Sequence, residues 1–243
     1  MKYQGLRNYR RNRKFSVEQP QFILPDKKIL YETFKLDYQA YYKSGRETAR
    51  WLIDQYQEVA ERPLENILDW GCGPARVVRH LPFLAEKCDI FGSDFNKETI
   101  SWCKENIPEV KFVVNEIEPP IALSDNYFSF IYAISVFTHL SVERNLGWFR
   151  ELHRLLAPSG VLLFTTQGKA FYHDLTEAEK NHYDQGHLVV RQNNQEGRRI
   201  YSTYHPPDFV LSAISDLYSL VMHQVDNGEK GRPEQDIWIL RKK

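Results

Sequence analysis

Ile67-Leu68-Asp69-Trp70-Gly71-Cys72-Gly73-Pro74-Ala75-Arg76 is the stretch whose reading decides the fold. An apolar run ends in a carboxylate, two glycines follow with one residue between them, and a helix-like run begins at Ala75. That order spells a strand, a tight loop and a helix N-terminus. Glycines in such a loop let the backbone turn sharply and let a ligand approach it closely. The helix behind them presents unpaired N–H groups. A nucleotide-like ligand fits this place.

Downstream, Asp89-Ile90-Phe91-Gly92-Ser93-Asp94 reads as a second strand that ends in a carboxylate 21 positions after Gly73. An acidic residue there can accept hydrogen bonds from both ribose hydroxyls. Asn96 caps a helix through Ile100 and Cys103. Lys111–Val114 is the third strand, followed by Asn115-Glu116-Ile117. Phe128 to Ile134 is continuously apolar, as a buried central parallel strand should be. The loop after it, Ser135-Val136-Phe137-Thr138-His139-Leu140, then lies at a carboxyl strand end, where open α/β sheets bind ligands. Ser141 caps a long helix through Leu146, Phe149, Leu152 and Leu156. The turn Pro158-Ser159-Gly160 leads to a fifth strand, Val161–Thr166, which delivers Gln167-Gly168.

Upstream, Ser44-Gly45-Arg46-Glu47 reads as a capping box, with Ser44 as N-cap. The helix it starts places Ala49, Leu52, Ile53, Tyr56 and Val59 on one face and ends at Arg62-Pro63. Tyr31, Tyr38, Tyr41 and Tyr42 crowd the stretch before it. Residues 1–25 are locally basic, with Tyr3, Tyr9 and Phe15 between the charges. Their plain reading is a solvated, mobile terminus; their functional reading is an arm for an anionic substrate, RNA or a membrane surface.

Asp69-x-Gly71-x-Gly73 resembles the first motif of the class I S-adenosylmethionine-dependent methyltransferases, and the resemblance extends from about Ser44 to the last residue. It implies a Rossmann-like α/β fold: a seven-stranded, mostly parallel sheet with helices on both faces. An antiparallel pair, Tyr218 to Val225 and Asp236 to Leu240, closes it. It implies S-adenosyl-L-methionine as cofactor, held by Asp69, Gly71, Cys72, Gly73, Asp94, Phe95 and Ser135. By the same resemblance Asn115 takes the adenine amino group, with Glu116 as competitor, Ile117 covers the adenine face, and Tyr41 to Gly45 line the methionine end. A nicotinamide dinucleotide site would want Gly-x-Gly-x-x-Gly; here Arg76 replaces the third glycine and Asp69 precedes the loop.

Residues 168–205 interrupt the family's order and are expected to form a cap over the active face. Leu188–Arg191 and Arg199–Ser202 flank Asn193-Asn194-Gln195-Glu196-Gly197 in a hairpin pattern. The domain reading is therefore a basic arm and lead-in over residues 1–40 and a methyltransferase domain over 41–243 that contains the cap. A hydroxyl acceptor needs a base, and histidine serves near neutral pH. His139, His173 and His205 are the candidates, with Gln167, Tyr172 and Tyr204 as substrate contacts. No HExxH or other clear metal spacing occurs, so no metal is expected.

The 243 residues suit one α/β domain with an elaboration, and a 42% hydrophobic composition can build its core. Lys+Arg 32 balances Asp+Glu 32, so nothing in the bulk charge asks for a polyanionic partner. The three cysteines form no CxxC pair and read as reduced thiols of a cytoplasmic protein. No run is long enough to span a bilayer, and no apolar leader stretch is visible. The expected activity is methyl transfer to an O or N nucleophile of a small molecule or glycan. The alternatives are an RNA or protein methyltransferase using the basic arm, an NAD-linked oxidoreductase, and a non-catalytic cofactor binder; oligomeric state is left open.

Overall fold

Five parallel strands carry the glycine loop at their carboxyl edge, in a computed structural model that describes residues 2–27, 29–30, 36–191, 196–197, 201–225 and 234–243. The strands are β1 (Asn66–Trp70), β2 (Asp89–Asp94), β3 (Lys111–Val114), β4 (Phe128–Ala133) and β5 (Leu156–Thr166). Two more belong to the same sheet, β8 (Tyr218–Gln224) and β9 (Asp236–Lys242), in the order β3-β2-β1-β4-β5-β9-β8. β9 is antiparallel to both β5 and β8. All six residues of β4 are buried, which explains its unbroken apolar run. From β1 the chain steps outward through β2 to β3, then returns to β4 on the other side of β1. The crevice between the ends of β1 and β4 is therefore a topological switch point, where such sheets bind ligands.

Helices cover both faces. On one face α2 (Tyr38–Val59), a 3-10 helix (Val78–Phe83) and α3 (Lys97–Asn106) bury Ala49, Leu52, Tyr56, Val78, Leu81, Ile100 and Cys103. On the other, α4 (Val142–Leu155) contributes Trp148, Phe149 and Leu152. The cap holds α5 (Glu177–Asp184) and the antiparallel pair β6 (Val189–Arg191) and β7 (Ser202–Tyr204); α6 (Pro207–Ile214) follows and buries Val210 and Ile214 beside α4. The hairpin expectation on Asn193, Asn194, Gln195, Arg199 and Ile200, and Tyr31 of the tyrosine-rich stretch, lie outside the described residues.

Four local expectations are corrected. The helix before β1 starts at Tyr38, not after Ser44: Asp37 is its N-cap and accepts from Ala40 N at 3.1 Å. Ser44 sits inside the helix and donates from Oγ to Ala40 O at 2.6 Å. The run after the glycine loop is not an α-helix; turns lead into the 3-10 helix, because Ala75 adopts φ +59° and Pro82 lacks the donor that an α-helix needs. β5 begins at Leu156 rather than Val161, with a register shift against β4 between Phe128 and Phe130. Finally, the basic stretch is not a mobile terminus but a helix, α1 (Lys2–Glu18). Asn8 Nδ2 and Asn12 Nδ2 donate to Leu36 O at 3.2 and 2.8 Å, Asn12 Oδ1 accepts from Tyr38 N, and Phe15 is buried against Phe22, Tyr38 and Tyr42.

Candidate active site

The loop after β1 is held by its own backbone. Gly71 N and Cys72 N both donate to Ser93 O, at 2.8 and 2.9 Å, and Gly73 N donates to Asp94 Oδ2 at 3.0 Å. Asp94 Oδ1 accepts from Asn96 N at 2.8 Å, so one carboxylate ties the glycine loop to the start of α3. Gly71 (φ +79°) and Gly73 (φ +50°) take left-handed conformations that favour glycine. A Cβ on Gly71 would overlap Val136 Cγ2, which is how closely the β1 and β4 loops approach; a Cβ on Gly73 would meet nothing within 4 Å.

Between these loops lies a cavity of about 380 Å³. Gly71, Asp94, Phe95, Asn115, Ile117, Ser135 and His139, all picked out in the sequence, line it together. Asn115 and Glu116 are separated by the fold. Glu116 points outward and pairs with Lys97 at 3.4 Å, whereas Asn115 is buried, donates from Nδ2 to Glu116 O at 2.7 Å, and has no partner for Oδ1 among the described residues. The cavity wall thus offers a buried amide acceptor. Ser135 (φ +60°) donates its N–H to Thr165 Oγ1 at 2.9 Å and its hydroxyl to Gln235 Oε1 at 2.8 Å, joining the β4 loop to β5 and to the residue before β9.

Asp69 and Cys72 are buried, and neither they nor Gly73 line the cavity. Asp69 is 5% exposed, and burial, with the nearby Asp94 charge added, pushes its carboxyl up to about 7; the Tyr132 hydroxyl and Arg76 pull the other way. Arg76 lines the cavity and donates to Thr48 Oγ1 at 3.2 Å. Burial pushes the Cys72 thiol well up, so it is an inert apolar filler.

The three histidines part company. His139 lines the cavity, and its Nδ1 lies 2.6 Å from Tyr201 O on the cap. A carbonyl only accepts, so Nδ1 carries the proton and the basic lone pair belongs to Nε2. His205 is wholly buried, with Nε2 3.0 Å from Asn145 Oδ1; Asn145 donates from Nδ2 to Leu140 O and Ser141 O, which fixes its oxygen toward the ring. Burial pulls His205 down to about 3, so it stays neutral inside the core, away from the cavity wall. His173 is exposed on a 3-10 helix (Lys169–Asp174), 3.3 Å from Asp174.

The expected substrate contacts also stand off the cavity wall. Tyr172 donates to Asp184 Oδ2 at 2.6 Å under the Lys169 ammonium, and Tyr204 accepts from Arg191 Nη1 at 3.0 Å. Both brace the cap, Tyr172 at its surface and Tyr204 from within. Gln167 accepts from His205 N through its carbonyl at 2.8 Å, and its side-chain Oε1 is buried without a partner among the described residues. Sequence reasoning missed Trp148, whose Nε1 donates to Ile117 O at 2.9 Å as its ring lines the cavity; at helical spacing it reads as plain core. It also missed Gly197 of the cap, which donates to His139 O at 2.8 Å. Among the described residues no group of three or more metal-ligating side chains comes together.

A family model described as a methyltransferase domain matches residues 68–164. The chain is 27% identical over 160 residues to a malonyl-[acyl-carrier protein] O-methyltransferase of Bacillus cytotoxicus, across 63% of this chain and 54% of that one. It is 26% identical over 196 residues to the tRNA N(3)-methylcytidine methyltransferase trm140 of Schizosaccharomyces pombe, across 73% of this chain and 60% of that one. The chain therefore spans little more than half the length of these curated relatives. The crystal structure of magnesium protoporphyrin IX methyltransferase from Synechocystis PCC 6803 with bound S-adenosylhomocysteine shares its fold. That match has a TM-score of 0.58 at 13% identity and covers 89% of this chain and 92% of that one.

Proposed function

We propose that this chain, whose residues 68–164 match a methyltransferase domain, uses S-adenosylmethionine to methylate an oxygen or nitrogen of a small molecule or sugar. When bound, S-adenosylmethionine supplies a methyl group on a sulfonium sulfur, open to in-line displacement. The protein has to bind, orient and, for a hydroxyl acceptor, take a proton. Positioning alone lowers such a barrier by about 7–11 kcal/mol. The cavity's chemistry suits the cofactor. The unpartnered Asn115 Oδ1 supports recognition of an amino donor such as adenine's, and Asp94 supports recognition of ribose hydroxyls. Ile117 and Phe95 supply apolar surface, and the Arg76 guanidinium on the same wall suits the carboxylate of an amino-acid tail.

One observation carries the assignment of the base. Of the three candidate histidines, His139 is the one on the cavity wall, with its tautomer set by Tyr201 O. Its Nε2 takes the acceptor's proton as the new bond forms. Purified protein with labelled S-adenosylmethionine is expected to label a metabolite or glycan pool. His139→Ala should lower that transfer by roughly 10²–10⁴-fold at saturating S-adenosylmethionine, in protein that still binds S-adenosylhomocysteine. No transfer to either pool by protein that binds S-adenosylhomocysteine overturns the acceptor class, and wild-type turnover in the variant overturns the base. Likeness to the tRNA methyltransferase supports a second reading, RNA as acceptor; label appearing in a tRNA pool instead would select it.

A further inference from the structure

Among the described residues, α1 is anchored by one side. Asn8, Asn12 and Phe15 face inward. At 3.6 residues per turn, Arg10, Arg13 and Val17 then fall on the opposite side, with Tyr9, Lys14 and Arg7 on its flanks. Tyr9 is 59% and Val17 75% exposed. Arg11 is taken by Asp37 at 2.8 Å and Lys14 reaches Glu18 at 3.6 Å, but Arg7, Arg10 and Arg13 form no ion pair among the described residues. In a chain whose acidic and basic residues balance, this is a local excess of positive charge with two apolar side chains set into it. The helix is pinned to the start of α2, where the Tyr41 hydroxyl donates to Pro74 O of the glycine loop at 2.7 Å. The helix that carries the basic face is therefore attached at the edge of the sheet where the glycine loop lies.

We propose that the outward face of α1 docks on an anionic lipid bilayer. Guanidinium forks pair with phosphates, which lipid headgroups and RNA both offer. Tyr9 suits both, since an aromatic ring also stacks on RNA bases; the aliphatic Val17 separates the two. An RNA backbone gives Val17 nothing to bury against, whereas the headgroup–acyl boundary takes both an aliphatic side chain and a tyrosine ring with a polar tip. Arginine stems lie along that boundary while their charged ends stay at the phosphates. Among the described residues no helix is long and apolar enough to cross a membrane, so the contact is peripheral and sensitive to salt.

The test uses the full chain and sedimentation with vesicles of phosphatidylglycerol and phosphatidylcholine, against phosphatidylcholine alone, at 0.1 M salt. Binding is expected to the first and not the second, with release at high salt. The variant Arg7→Gln/Arg10→Gln/Arg13→Gln should lose roughly a hundredfold in partition, the worth of three charges at an anionic surface. Tyr9→Ser/Val17→Ser should lose several-fold. Both variants should bind S-adenosylhomocysteine and melt as the parent does, which shows that they are folded. The proposal is overturned if the parent stays in the supernatant with phosphatidylglycerol vesicles or if the triple variant sediments as the parent does. It is also overturned if a single-stranded RNA oligomer binds while the vesicles do not.

Discussion

Asp69 holds a proton that an unfolded chain would release near pH 4. Its pKa of about 7 in the fold means that the native state binds more protons than the unfolded one between those values, so its contribution to stability falls as pH rises through that window. His205 works in the opposite sense. Its value of about 3 lies below the ordinary 6.5, the unfolded chain binds the extra proton, and stability rises with pH between the two. Asp69→Asn removes only the first slope. The melting temperature of the ligand-free variant, minus that of the parent, is expected to grow steadily from pH 4 to 7, and a constant difference would contradict it. Residues differ in how far the sequence exposes such roles. Asp94 was legible because its distance from the glycines fixes it at the end of the next strand. His139 and His205 both stand near the ends of apolar stretches, and only the tertiary fold decides which reaches a cavity and which is sealed behind Asn145. Asn115 and Glu116 likewise differ by which way one side chain points, a distinction that composition does not carry.

Among the elements, α2 packs against the chain just after the glycine loop. A Cβ on Gly45 would collide with Arg76 O and lie 3.1 Å from His80 Nε2, so the helix backbone rests directly on the turn that follows the glycines. Alanine favours a helix by about 1 kcal/mol over glycine. Here the collision with backbone should outweigh that gain. Gly45→Ala is expected to lose about 1–3 kcal/mol in urea unfolding and to weaken S-adenosylhomocysteine binding in calorimetry; a stabilised variant with unchanged affinity would show that the contact is loose. The same helix shows where local pattern misleads. Ser44 and Glu47 have capping-box spacing, yet the helix runs through them because Asp37 caps it seven residues earlier and α1 packs on its first turn. After β1, the helix-like composition gives way to a 3-10 turn because Pro82 lies too early for an α-helix to pass.

For the whole molecule, the sheet is the part that sequence reveals best, since buried parallel strands need unbroken apolar runs and a closing antiparallel pair leaves two more. The cap is the part it reveals least. Its position depends on a few long-range contacts, such as Thr203 Oγ1 donating to Phe137 O at 3.1 Å and the Tyr201 carbonyl on His139. The cavity draws its walls from the β1, β2, β3 and β4 ends and from the cap, so a ligand there should stabilise the domain as one unit. S-adenosylhomocysteine at a hundred times its Kd adds about 2.7 kcal/mol, which for a domain of this size shifts a single melting transition by roughly 5–10 °C. A transition that splits on adding ligand would mean that the two halves of the sheet unfold separately.

β9 sits between β5 and β8 although it is the last of the seven strands in chain order. Gln235 meets Thr165 across 70 residues of chain. On a ribosome adding roughly 5–20 residues per second, β5 therefore waits several seconds with one edge unpaired after it has emerged. During that interval Leu162 and Phe164 belong to an open, apolar strand that can add a stranger's backbone as readily as its own. Synthesis arrested short of Asp236 would leave a sheet with an adhesive side, whose natural fate is capture by a chaperone or association with its neighbours.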